Sequence, residues 1–83
     1  MLDDYEFYEQ VAAMLDPSVD KSMSAGDVAG GEPESAVSTL LDEAYCEGKL
    51  TPEIVSLVER RYTSGPVAEM LVALRMADDA KND

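Results

Sequence analysis

Apolar residues return along this chain every three or four positions, and no stretch alternates apolar with polar over the length of a strand. That spacing lines one side of a helix. Phe7, Val11 and Met14, with Tyr8 and Leu15, make the first stripe and predict a helix over 4–15. Asp3 or Asp4 suits its cap, and Glu6 suits the positive end of the helix dipole. Asp16-Pro17 ends it, because proline pushes the preceding residue out of helical geometry. Val19, Met23 and Val28 mark the inner face of a shorter helix over 18–29, with Ser18 placed to cap it. Gly30-Gly31 predicts a turn.

A third helix is expected over 33–47. Pro33 fits the first turn, where no donor is needed; Val37, Leu40, Leu41 and Ala44 form the core stripe; Gly48 is a C-terminal cap. Thr51-Pro52-Glu53 reads as cap, proline and acid, and opens a fourth helix over 52–63 with Ile54, Leu57, Val58 and Tyr62 facing inward. Pro66 opens a fifth over 66–78. Val67, Met70, Leu71 and Leu74 make its stripe, while Val72, Ala73, Met76 and Ala77 carry apolar character round the other side. A helix apolar nearly all round is either the buried centre of a fold or part of an oligomer contact. Residues 79–83 are expected to fray. Short connections favour antiparallel neighbours, so the pattern predicts an all-α fold, a compact antiparallel bundle of four to five short helices in a single domain spanning 1–83.

Charge changes this picture most. Eighteen acids stand against six bases, with no histidine, for a net charge of −12 over 83 residues. Residues 1–47 hold twelve of the acids against Lys21 alone, a balance of −11, and residues 48–83 carry −1. Such a surface repels the nucleic-acid backbone and anionic lipid, and attracts a basic protein. A hydrophobic content of 46% is too high for a disordered acidic tail. Cys46 is the only cysteine, which excludes a disulfide framework and points to a reducing compartment. The acidic start, Leu2-Asp3-Asp4, is unlike an export signal, and Val67 to Ala77 is too short and too interrupted to span a bilayer. The expectation is a cytoplasmic protein.

Candidate chemistry is sparse. Without histidine the usual general base is missing, and a Cys–His nucleophile is impossible. The glycines between 26 and 31 do not follow a strand and lack the Lys-Ser/Thr ending of a phosphate loop. Asp16, Asp20 and Asp27 lack the spacing of a calcium loop. The sequence therefore predicts no enzyme, no cofactor and no metal site.

Binding surfaces are better marked. On the third helix, Thr39, Asp42, Glu43 and Cys46 project opposite the core stripe, which predicts an exposed Cys46, with Tyr45 at the edge of the same face. On the first, Tyr5 falls beside Glu6 and Glu9, an aromatic ring among carboxylates that suits a lysine- and arginine-rich partner. Tyr5, Glu6, Glu9, Asp42, Glu43, Tyr45 and Cys46 are the candidate partner-binding residues. Arg61 lies inside the apolar arc of the fourth helix, where it is expected to snorkel or to pair with an acid from another helix.

The middle of the chain carries a recognisable run: Gly31-Glu32-Pro33-Glu34-Ser35-Ala36, then Leu40-Leu41, then Tyr45-Cys46-Glu47, then Leu50-Thr51-Pro52-Glu53 with Ile54, Leu57 and Val58. Over residues 19–62 this resembles the Maf-type immunity family, small helical proteins that accompany bacterial polymorphic and contact-dependent toxins. The resemblance implies a short helix leading into a Gly-Glu turn and a helical hairpin. It also implies inhibition of a cognate toxin, a nuclease with a basic cleft, by tight binding. Two other functions fit the residues: a regulatory or scaffold protein that dimerises through the apolar helix 66–78, and a DNA-mimic inhibitor.

Overall fold

The computed structural model describes the backbone of residues 2–81 and the side chains of residues 2–76. It is an all-α bundle of five helices, α1 Asp4–Met14, α2 Ser22–Ala29, α3 Pro33–Cys46, α4 Pro52–Arg61 and α5 Pro66–Lys81. The Cα radius of gyration, 12.1 Å, matches the about 12 Å of a compact chain of this length.

The helix boundaries follow local chemistry. Asp3 and Glu6 form a reciprocal capping box: the Glu6 backbone N–H donates to Asp3 Oδ1 at 2.8 Å, and the Asp3 N–H donates to Glu6 Oε1 at 3.1 Å. Thr51 Oγ1 accepts from the Ile54 N–H at the head of α4. Proline opens α3, α4 and α5, each at a position whose N–H a helix does not use. Glycine closes α2 and α3 in the same way. Gly31 (φ 82°) and Gly48 (φ 70°) adopt left-handed geometry. Across them, Glu32 N–H reaches the Asp27 carbonyl, and Lys49 N–H the Ala44 carbonyl. Both are six-to-one closures of a Schellman motif, which favours glycine because a side chain strains at positive φ.

The structure corrects several expectations. The second helix begins at Ser22 rather than 18, and Ser18 does not cap it; its backbone N–H instead donates to Asp16 Oδ1. The later start sets a different phase. Ser24 and Val28 turn inward, Val19 is buried ahead of the helix, and Met23 is 65% exposed. Met14 likewise sits at the exposed end of α1, while Leu15 takes the core position. The fifth helix extends to Lys81, three residues past the expected end at 78; residues 82 and 83 lie outside the described residues.

α3 is the centre of the bundle. It packs against α1, α2 and α5, and its Ala36, Val37, Leu40, Leu41 and Ala44 are fully shielded. Around them gather Phe7, Val11 and Leu15 from the first segment, Ile54 and Val58 from α4, and Val67 and Leu71 from α5. Two of its polar positions are half-buried and bonded to neighbouring helices: Ser38 donates to the Met70 sulfur, and Thr39 donates to Asp27 Oδ2 at 2.7 Å. The apolar α5 is therefore not the buried centre. One side of it enters the core, while Val72 and Met76 face out.

One buried polar contact ties α1 to α2. Ser24 Oγ donates to the Lys21 carbonyl at 3.0 Å and lies 2.8 Å from the Tyr8 hydroxyl. With the serine proton directed at Lys21, Tyr8 is the donor of the pair.

Candidate partner-binding surface

The seven residues singled out from sequence fall into two groups. Tyr5, Glu6 and Glu9 share the outer face of α1, all exposed. Tyr5 is 45% exposed and reaches toward the α2–α3 turn, where a Cβ on Gly31 would meet its hydroxyl at 3.9 Å. Glu6 is committed to the capping box, so its carboxylate has a structural task at the head of α1. Glu9 is not part of that box and extends the acidic face by one turn.

The second group lies toward the end of α3. Asp42 and Cys46 are exposed, one helical turn apart, and Glu43 is half-buried. Two neighbours depart from the expected face. Thr39 turns toward α2 and binds Asp27. Tyr45 is half-buried and lines a groove of about 440 Å³ with Leu50, Val55, Leu71 and Leu74, so it belongs to the seam between α3, α4 and α5. A ring at the helix edge follows whichever apolar neighbours are nearest, and here those come from α4 and α5.

An acidic cleft escaped the sequence reading. Asp27, Glu32 and Glu34 surround a depression of about 340 Å³ bounded by Thr39 and Pro66. The signal was present as three acids bracketing Gly30-Gly31, but only the Schellman turn at Gly31 folds α2 back so that Asp27 meets the head of α3. Among the described residues, no group of three or more acids or cysteines is arranged to hold a metal ion. A cleft of this kind attracts a cationic side chain from solution without fixing it to one geometry.

Several acids of the first half are held in their charged form by local donors. Asp16 is lowered by the Ser18 backbone N–H and then by its hydroxyl, with smaller help from Lys49 and Lys21. Asp20 is lowered in the same way by Ser22. Asp4 is lowered by Arg61, which donates to it at 2.9 Å, and next by the Tyr62 hydroxyl, also at 2.9 Å. Of the twelve acids in residues 1–47, eight are exposed and four half-buried. Lys21 is half-buried, with its ammonium group against the Asp16 and Val19 carbonyls. Two of the twelve acids pair with cations from the second half of the chain, Asp16 with Lys49 and Asp4 with Arg61.

Among the described residues, no helix is long and apolar enough to cross a membrane. No family model, curated protein or solved structure shows a significant match to the chain.

Proposed function

We propose that this chain is a non-catalytic, acidic inhibitor that binds a basic protein, acting in the cytoplasm as an immunity protein against a toxin with a cationic active-site cleft. The observation that carries the reading is the set of acids in residues 1–47, twelve against one lysine, eight of them exposed on an ordered helical frame. Six of the eight lie within helices or at their caps, so their field is already in place before the partner arrives and capture is steered without an ordering cost. The resemblance of residues 19–62 to Maf-type immunity proteins supplies the partner class, a nuclease toxin. The acidic cleft at Asp27, Glu32 and Glu34 supports the same chemistry, as a receptor for lysine or arginine.

In this mechanism Glu9 and Asp42 steer, Tyr5 packs, and the acids stand where substrate phosphates would otherwise lie on the toxin. The test is association kinetics with a basic toxin domain encoded beside this chain's gene. The on-rate is expected to fall about tenfold or more between 50 mM and 300 mM salt. Reversing Glu9 and Asp42 to lysine together should slow association further, whereas Glu53→Lys, in the near-neutral half, should leave it close to wild type. Equal slowing by both changes would remove the acidic half from the mechanism.

A further inference from the structure

We draw no further inference here: the strongest candidate, the outward face of α5 on which Val72 and Met76 are exposed, carries nothing, because nothing in the structure shows what covers it.

Discussion

Arg61 shows what a single residue contributes to this fold. Its guanidinium donates to Asp4, lies 4.9 Å from the Phe7 ring centroid and 5.8 Å from that of Tyr62, and so joins α1 to the end of α4. Phe7 and Tyr62 meet edge to face at 5.7 Å, and the Tyr62 hydroxyl completes the cluster on the same Asp4 oxygen. Burial first, and then the Asp4 carboxylate, push the Tyr62 phenol above its ordinary range, which keeps it a donor. The place of Arg61 in an apolar arc left two expectations, snorkelling or pairing with an acid of another helix, and the structure shows the pairing. Which acid was not legible, because Asp4 lies 57 residues away and only the packing of α1 beside α4 brings it close. The depressed pKa of Asp4 fixes a pH dependence. Its contribution is complete above the unfolded value of about 3.9 and is lost as pH falls through the folded value. Asp4 is half-exposed, so solvent screening discounts the pair, and Asp4→Asn is expected to cost about 1 kcal/mol at pH 7. Urea unfolding at pH 7 and pH 3 should show the gap between wild type and variant shrinking with acid; a constant gap would place the cost elsewhere.

Helix ends were the most legible elements because their signals are local. Asp3 with Glu6, Thr51 with Pro52, and Gly48 each act where their chemistry predicts. The second helix was harder: its three apolar residues do not define one phase, and its inner face is completed by a serine whose hydroxyl is satisfied by Lys21 and Tyr8. Two glycines at this scale have opposite expected behaviour. Gly26 sits inside α2 with right-handed geometry, and a Cβ there would meet nothing within 4 Å. Gly26→Ala should therefore stabilise the protein by about 0.5–1 kcal/mol, by reducing the freedom of the unfolded chain and improving helix propensity. Gly48 also has open space around it, but its φ of 70° disfavours any side chain. Gly48→Ala should cost about 1–2 kcal/mol through backbone strain alone. Thermal unfolding of the two variants separates conformation from packing, since neither methyl group encounters a neighbour. Destabilisation by both would mean that α2 tolerates alanine no better than the turn does.

At the scale of the whole molecule, the helix class and the number of helices were legible, while the arrangement was not. The all-round apolar character of α5 left open a buried centre or an oligomer contact, and burial, which followed width of contact, removes the first. α3 offers two alanines and three branched residues on a broad face, and its partners approach from three helices. The centre is α3, with the acidic half of the chain supplying much of the core as well as most of the charge. That combination sets up a conflict inside one small body, with a net charge of −12 in a molecule of 39 × 28 × 20 Å. At 10 mM salt the screening length is about 30 Å, so carboxylates repel across the entire molecule; at 1 M it is about 3 Å and only neighbours interact. Salt also weakens the attractive pairs Lys49–Asp16, Arg61–Asp4 and Arg75–Glu59, but each has at least one well-exposed partner, and such pairs contribute little. Repulsion relieved should outweigh attraction lost. The urea midpoint, measured at a fixed low protein concentration, is therefore expected to rise steadily from 10 mM to 1 M sodium chloride. A falling midpoint would mean that Lys49 and Arg61 hold the acidic half more tightly than the exposure of these pairs allows.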